Sequence, residues 1–292
     1  MTYTFTLRDK IAGALEGLRL RFFPRRVLVA GPYLGEFGHE LMEWQAWVRG
    51  MTSRYREVHV ITFPGREALY PGCVFHTHDV PLEQAGYRHG RFAPAELKAR
   101  AKACAEKLGL TDYDIMTAQH LCTRYHQRFI LPAKFESLRT EPVAGGVRDV
   151  AFHFRWVKKE GPDQSRNYPA EMCDVVAAGV AALGHRICCV GHPRYSYCPA
   201  GVEDLRSERL ESSLAALSSV RLLAGELSGP MHLAQLCQTP ILIWADGQWR
   251  LDNSERWNIF HVPTFIVAND THRPDPARVV ESIDRALREI KP

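Results

Sequence analysis

Short apolar runs alternate with helical, amphipathic patterns along most of the chain. The apolar runs cover residues 26–30, 57–63, 149–154, 186–191, 220–224 and 240–244. The helical patterns cover residues 39–51, 94–108, 169–183, 210–217, 229–236 and 276–290. An apolar run, a helix and another apolar run form a right-handed crossover between parallel strands. The pattern therefore predicts an α/β protein built on parallel sheets.

Pro and Gly accumulate at residues 131–147, between the two series of elements. This composition is typical of a linker. A chain of 292 residues also suits two domains of roughly 100–200 residues each. We therefore predict an N-terminal domain over 1–145 and a C-terminal domain over 146–292.

A basic amphipathic segment, residues 1–25, precedes the first apolar run. Within it, residues 6–23 alternate leucine and phenylalanine with arginine and lysine at helical spacing. One interpretation is a helix that lies on an anionic membrane surface. The other is a helix that packs on the first domain. The sequence leaves both open.

Composition and charge narrow the class of protein. Hydrophobic residues make up 46% and charged residues 24%, which excludes a disordered or coiled-coil chain. No run approaches the roughly 20 apolar residues of a membrane span, and no signal pattern opens the chain. We expect a cytoplasmic protein, peripheral to the inner membrane if residues 6–23 bind lipid. A net charge of +4 falls well short of what nucleic-acid binding alone would suggest, and it suits a small anionic ligand at least as well, so we expect no nucleic-acid partner. The eight cysteines are scattered, so we expect neither disulfides nor structural zinc.

The segment from Ala224 to Ala234 joins a strand end to a helix start. Its candidate ligand residues are Glu226, Ser228, Gly229, Pro230, Met231 and His232. Unpaired amides and the dipole at a helix start favour a phosphate group. The segment therefore indicates a pyrophosphate site, with an ordinary βα turn as the alternative.

The run Glu226-Leu-Ser-Gly-Pro-Met-His-Leu-Ala234 resembles the donor-site motif of the bacterial ADP-heptose lipopolysaccharide heptosyltransferases (glycosyltransferase family 9). Their motif is typically Asp-(Ser/Thr)-Gly-Pro-Met-His-Leu-Ala; here Glu226 replaces the Asp, and Leu227 is inserted. The resemblance implies a GT-B fold of two facing Rossmann-like domains with parallel sheets. It also implies a nucleotide-diphosphate-sugar co-substrate, no other cofactor, and a carbohydrate or glycoconjugate acceptor.

A second segment is basic and follows the strand that ends at Arg155. It contains Lys158, and Arg166 and Tyr168 stand where the resembled family has Lys and Trp. Arg and Lys donors stabilise the charge that develops on a diphosphate leaving group. Ligands collect at the carboxyl ends of strands in such sheets, so Arg155 is the first candidate, with a solvated basic loop as the alternative for the segment. Gly191 and His192 also follow a strand end, and His192 is either a cleft residue or a satisfied loop histidine.

A third segment, residues 31–41, is a glycine-rich loop after the first strand. Its Gly35-Glu36 pair resembles the Gly-Asp pair of the family, whose acidic residue is the general base. A sugar hydroxyl needs such a base within hydrogen-bond reach. Glu36 is our first candidate for this base and His39 the second.

Two further motifs contain residue types that bind metals. His76-Thr-His78-Asp79 lacks the remaining ligands of a zinc site. Asp112-Tyr-Asp114 matches the Asp-x-Asp of metal-dependent glycosyltransferases, but it follows a helix end and is interpreted as a turn or a cap. We expect no metal site.

Together these features predict a metal-independent glycosyltransferase that moves a sugar from a nucleotide-diphosphate-sugar to an acceptor hydroxyl. Two alternatives stay open, because a fold does not fix a function. One is a non-catalytic protein that binds nucleotides or nucleotide-sugars. The other is a GT-B-like epimerase.

Overall fold

The computed structural model describes residues 7–81, 92–117, 133–143, 145–156, 166–245, 252, 254–255, 257–268 and 273–290. The chain divides into two compact units, residues 1–136 and 137–292. The predicted boundary falls after residue 145. Residues 137–143 belong to the second unit, where the amides of Thr140 and Val143 donate to the hydroxyls of Ser218 and Ser219 at 3.0 and 2.7 Å.

The first unit is built on a four-stranded parallel sheet. Its strands are β1 (Val27–Ala30), β2 (Glu57–Thr62), β3 (Val74–Thr77) and β4 (Tyr113–Met116), in the order β3-β2-β1-β4. Its helices are α1 (Leu7–Phe22), α2 (Phe37–His39), α3 (Gln45–Thr52) and α4 (Pro94–Lys107). A π-helical turn, Glu40–Trp44, joins α2 to α3, and Glu67–Leu69 form a 3₁₀ turn.

The second unit contains a larger sheet. Its strands are β5 (Arg148–Arg155), β6 (Ile187–Cys189), β7 (Ser196–Tyr197), β8 (Glu203–Asp204), β9 (Val220–Glu226), β10 (Ile241–Ala245) and β11 (Thr264–Ala268). The parallel order is β11-β10-β9-β5-β6-β8, and β7 pairs antiparallel with β5. Its described helices are α5 (Ala170–Ala182), α6 (Leu210–Ser218), α7 (Gly229–Leu236) and α8 (Pro276–Glu289).

Alternation along β5 separates the core of the second unit from the polar positions at the strand end. Phe152 and Phe154 point to one face, where their rings stack 4.9 Å apart between α5 and α8. Val280 of α8 lies so close to Gly179 of α5 that a Cβ there would stand 2.8 Å from its methyl group. Because this core is closely packed, the carboxyl end of β5 is held in a fixed position.

The predicted helices and longer strands are confirmed within one or two residues, but five short strands were not predicted: β3, β4, β7, β8 and β11. The interpretation of Asp114 as part of a turn is wrong. Asp114 lies in β4 and is buried, and it accepts hydrogen bonds from the Arg25 amide and the Tyr55 hydroxyl, both at 2.9 Å. These partners are distant in sequence, so a local pattern does not reveal them.

Among the described residues, no helix is both long and apolar enough to cross a membrane. The seven cysteines in this part of the chain are free thiols, and Cys122 lies outside it.

Candidate active site

The carboxyl ends of β5 and β9 lie side by side in the second unit. The two strands are parallel neighbours, with His153 opposite Gly225. Arg155 ends β5 and Glu226 ends β9, and helices α5 and α7 follow the two strands. The topology therefore brings the two predicted donor-site segments to one edge of one sheet.

Glu226 ties the two segments together through backbone amides. Its side chain is buried, and its carboxylate oxygens accept from the amides of Arg155 at 3.1 Å and Tyr168 at 2.8 Å. Burial raises the pKa of Glu226 to about 7, and the two amide hydrogen bonds act in the opposite direction. The carboxylate thus holds β9, β5 and the start of α5 in place.

Gly225 allows α7 to pack closely behind β9. A Cβ at this position would lie 2.3 Å from the His153 carbonyl oxygen and 2.6 Å from the terminal methyl of Met231. Met231 is fully buried, so its side chain belongs to the packing beneath the strand. Met231 can therefore contribute only backbone groups to the edge of the sheet where the two strands end.

Arginine side chains flank the loop between β9 and α7. Arg155 is 9% exposed and donates to the Asn167 side-chain oxygen at 2.9 Å. Arg166 donates to the Leu227 carbonyl at 2.7 Å. The Arg166 guanidinium therefore lies at the turn that precedes α7. The Arg155 guanidinium lies beside Asn167, the next residue in the chain after Arg166. Lys158 lies outside the described residues.

The start of α7 has no side-chain cap. Ser228 occupies the N-cap position, but its hydroxyl donates back to the Glu226 carbonyl at 3.1 Å and does not cap the helix. Gly229 and Pro230 form the first helical positions and are partly exposed. Pro230 has no N–H, so the amide of Gly229 is the first one of the helix.

His232 faces the interior of the second unit. It is buried, its Nδ1 lies 3.3 Å from the Gln235 side-chain oxygen, and its ring meets Trp257 edge-on at 4.7 Å. Its imidazole is therefore held within the unit behind the helix start.

Tyr168 contributes its backbone to this edge, while its ring belongs to the core. The ring is fully buried, 5.4 Å from Trp244, and its hydroxyl donates to the Pro274 carbonyl at 2.7 Å. Tyr168 thus contributes its backbone amide, which binds Glu226, to the strand ends, and its hydroxyl is bound elsewhere.

Gly191 follows β6 and makes room for a neighbouring imidazole. Its φ is +116°, and a Cβ would stand 2.6 Å from Nδ1 of His153. Burial lowers the pKa of His153 to about 4, so this imidazole is neutral at pH 7. His192 is partly exposed, and its Nδ1 accepts from the Arg194 amide at 3.1 Å, which places the proton of the neutral ring on Nε2.

The two candidate bases of the first unit differ in exposure. Glu36 is exposed and immediately precedes α2, and the Tyr33 hydroxyl donates to its carbonyl at 2.8 Å. His39 is 6% exposed, and its Nδ1 lies 3.2 Å from a Glu43 carboxylate oxygen. A carboxylate at position 36 can meet a substrate hydroxyl without rearrangement of the helix.

A buried carboxylate that the sequence analysis missed lies beside these residues. Glu40 accepts from the hydroxyls of Thr62 and Tyr70, both at 2.6 Å, and from the Arg66 guanidinium. Burial and the charge of Glu40 raise the pKa of Tyr70, which keeps that phenol a donor. Glu40 and Trp44 are four residues apart and lie on the same buried face of the helix. A charged residue on an otherwise apolar helix face is the sequence feature that could have identified Glu40.

This cluster fixes the helix that follows the glycine-rich loop. Glu40 opens the π-helical turn, a form that often marks functional sites. The Arg66 guanidinium also lies over the Phe37 ring, 4.3 Å from its centre. The loop that carries Glu36 is thus anchored to the end of β2 and to the segment beyond it.

Within the part of the chain that the structure describes, no three His, Cys, Asp or Glu side chains are grouped as a metal site would require. His76 stacks on His59, with 2.9 Å between their ring nitrogens. His78 contacts the Tyr33 carbonyl oxygen at 3.0 Å.

No family model and no curated protein matches the sequence. Solved structures do match. ADP-heptose lipopolysaccharide heptosyltransferase II of E. coli superposes with a TM-score of 0.59 at 12% identity, over 90% of this chain and 99% of that chain. The iron-containing dodecameric glycosyltransferase TibC of enterotoxigenic E. coli gives 0.55 at 17% identity, over 92% and 77%. A family 9 glycosyltransferase of Veillonella parvula gives 0.54 at 12%, over 94% and 99%.

The protein has the heptosyltransferase-like GT-B fold. This confirms the fold that the sequence resemblance implied. In this GT-B protein, each unit carries polar side chains at the carboxyl end of a central parallel strand, with Glu36 beyond β1 and Arg155 at the end of β5.

The titration of Glu226 gives this GT-B protein a testable dependence of stability on pH. A carboxyl whose pKa is about 7 when folded and near 4.5 when unfolded binds its proton more tightly in the folded state. Its stabilising contribution is therefore present below pH 4.5 and is lost as the pH rises to 7. We expect the free energy of unfolding, relative to Glu226→Gln, to fall by on the order of 3 kcal/mol across this range.

Urea denaturation of both proteins between pH 5 and pH 8 measures this difference, and Glu211→Gln on α6 is the control for an exposed carboxylate. Parallel pH curves for the wild type and Glu226→Gln would show that Glu226 does not titrate in this range.

Proposed function

We propose that the protein is a metal-independent glycosyltransferase that transfers a sugar from a nucleotide-diphosphate-sugar to an acceptor hydroxyl. The observation that carries the proposal is the convergence of Arg155, Arg166 and the start of α7 at the carboxyl ends of β5 and β9. Two cations and a helix start are suited to a diphosphate. The similar fold of the E. coli ADP-heptose lipopolysaccharide heptosyltransferase II supports a donor of this class.

Donor cleavage requires stabilisation of the leaving nucleoside diphosphate. As the glycosidic bond breaks, the bonding pair passes to the diphosphate oxygen, and its negative charge grows. We assign Arg155 and Arg166 to this charge, with Lys158 on the same basic segment. Partial burial of Arg155 strengthens its interaction with an anion, because less water screens it.

Acceptor activation is assigned to Glu36. The carboxylate takes the proton of the acceptor hydroxyl while the oxygen attacks the anomeric carbon. The exposure of Glu36 supports this choice over His39, whose imidazole is buried against Glu43. His39 remains the second candidate.

Metal independence has its own test. Since arginine side chains and a helix start are assigned to the diphosphate charge, we expect full activity after exhaustive treatment with EDTA. Activity that EDTA abolishes and Mn²⁺ restores would assign that charge to a metal and would contradict the proposal.

A screen of nucleotide-sugars tests the function as a whole. We expect one of the ADP-, GDP-, UDP- or dTDP-sugars to raise the melting temperature, because a ligand at 100 times its Kd stabilises a fold by about 2.7 kcal/mol. Incubation of that sugar with candidate acceptors should then release nucleoside diphosphate. Stabilisation without release would favour a non-catalytic binding protein, and a changed sugar on an intact donor would favour an epimerase.

A further inference from the structure

Helix α1 has one face fixed to the first unit. Its small residues Gly13 and Gly17 are buried, and Leu20 is fully buried. Polar contacts hold the same helix in place: Arg19 to Asp114 at 2.6 Å, Arg54 to the Arg21 carbonyl at 2.8 Å, and Lys98 to Glu16 at 3.2 Å. The orientation of the helix on the unit is therefore set by this face.

The opposite face is apolar and exposed. Leu7, Ile11, Leu15, Leu18 and Phe22 are between 40% and 73% exposed. At 100° per residue, these positions share an arc of about 80°. Phe23 follows the helix and is 76% exposed. We name these six residues the apolar stripe. Because the buried face fixes the helix, the apolar stripe points away from the first unit.

Arginines border the apolar stripe on both sides. By helical position, Arg8 lies along one border and Arg21 along the other, each within about 40° of the stripe. Arg19 also lies on the first border, but its guanidinium is paired with Asp114 and is not counted among the lipid-facing charges. Arg26 follows the helix and is exposed. Arg25 is exposed as well, but its guanidinium lies 3.7 Å from the Asp114 carboxylate. The acidic Glu16 lies away from the stripe, where it contacts Lys98. An apolar strip between cationic borders matches a helix that lies in the interface of an anionic bilayer.

We propose that α1 docks the protein on an anionic membrane surface, with the apolar stripe among the acyl chains and the bordering arginines at lipid phosphates. The charge pattern argues against a second copy of this chain as the occupant. Two such stripes brought together would bring like-charged borders near each other, whereas an anionic bilayer supplies the opposite charge. This inference does not depend on the proposed reaction.

Co-sedimentation of the full chain with lipid vesicles tests the proposal. We expect binding to vesicles of phosphatidylcholine with phosphatidylglycerol, weaker binding to pure phosphatidylcholine, and a loss of binding at high salt, where charges are screened. The double variant Ile11→Glu/Leu15→Glu should lower the partition coefficient at least tenfold. Arg8→Ala and Arg26→Ala should lower it about fivefold each.

Matched controls separate membrane contact from folding. Val175→Glu/Leu183→Glu places the same charges at exposed apolar positions of the second unit and should bind vesicles like the wild type. Phe23→Ser lies beyond the helix end, so it tests the stripe without a change within α1. An unchanged melting temperature shows that each variant is folded.

Three results would overturn the proposal. The first is a wild-type protein that does not bind anionic vesicles. The second is vesicle binding that neither the double variant nor Phe23→Ser reduces. The third is a wild-type oligomer, seen by gel filtration, that the double variant converts to monomer while vesicle binding is unaffected; a second copy would then cover the stripe. Sugar transfer is not needed for these measurements, so their failure leaves the proposed reaction standing.

Discussion

Replacing Glu36 by glutamine should lower turnover by about 10²–10⁴-fold, the usual contribution of a general base. Glutamine keeps the size of the side chain but has no basic oxygen to take the acceptor proton. Donor binding should survive, because the donor is assigned to the second unit. The measurement is kcat at saturating donor and acceptor, together with the Kd of the nucleotide-sugar.

Glu67→Gln, at another exposed glutamate of the first unit, is the matched control and should retain full turnover. Normal turnover in Glu36→Gln with inactivity in His39→Gln would assign the base to the imidazole. If neither variant loses activity, the loop serves only the strand-to-helix turn.

Arg155→Ala should weaken the binding of nucleoside diphosphate by about 10- to 150-fold, which corresponds to the loss of a hydrogen bond to a charged group. The free nucleoside lacks the phosphates. Its Kd for Arg155→Ala should therefore stay within about twofold of its Kd for the wild type. The amide of Arg155 that binds Glu226 is a backbone group, so the variant keeps this contact. Calorimetric titration with both ligands gives the comparison.

Arg288→Ala, on the exposed face of α8, is the control for the loss of one positive charge from the second unit. Equal weakening of nucleoside and nucleoside diphosphate in Arg155→Ala would contradict the assignment of this side chain to phosphate.

The elements that the sequence predicted are those whose burial is periodic. Helix α8 buries Val279, Ile283, Ala286 and Leu287 on one face, and this spacing is visible without any partner. By contrast, β7 and β8 contain two residues each. Strands this short have no alternation of apolar and polar residues to detect. Their pairing depends on neighbouring strands that are brought close only when the chain folds.

The sequence predicted those site residues that lie at strand ends and helix starts. Arg155 and Ser228 were found because each lies at such a boundary. The contacts of Glu226 could not be foreseen, since its amide partners lie 71 and 58 residues away. For Tyr168, the motif identified the position but could not tell whether its ring or its amide faces the edge.

The contacts of Glu226 also limit how this edge of the sheet could be redesigned. Its side chain binds amides that are far away in sequence. If residues 226–228 alone were transferred to another protein, the Glu226 side chain would lack the amides of Arg155 and Tyr168. Shortening Glu226 to aspartate to restore the more common motif would withdraw the carboxylate from Arg155 and Tyr168. Residue 155 and residues 166–168 and 226–228 would therefore have to be exchanged together.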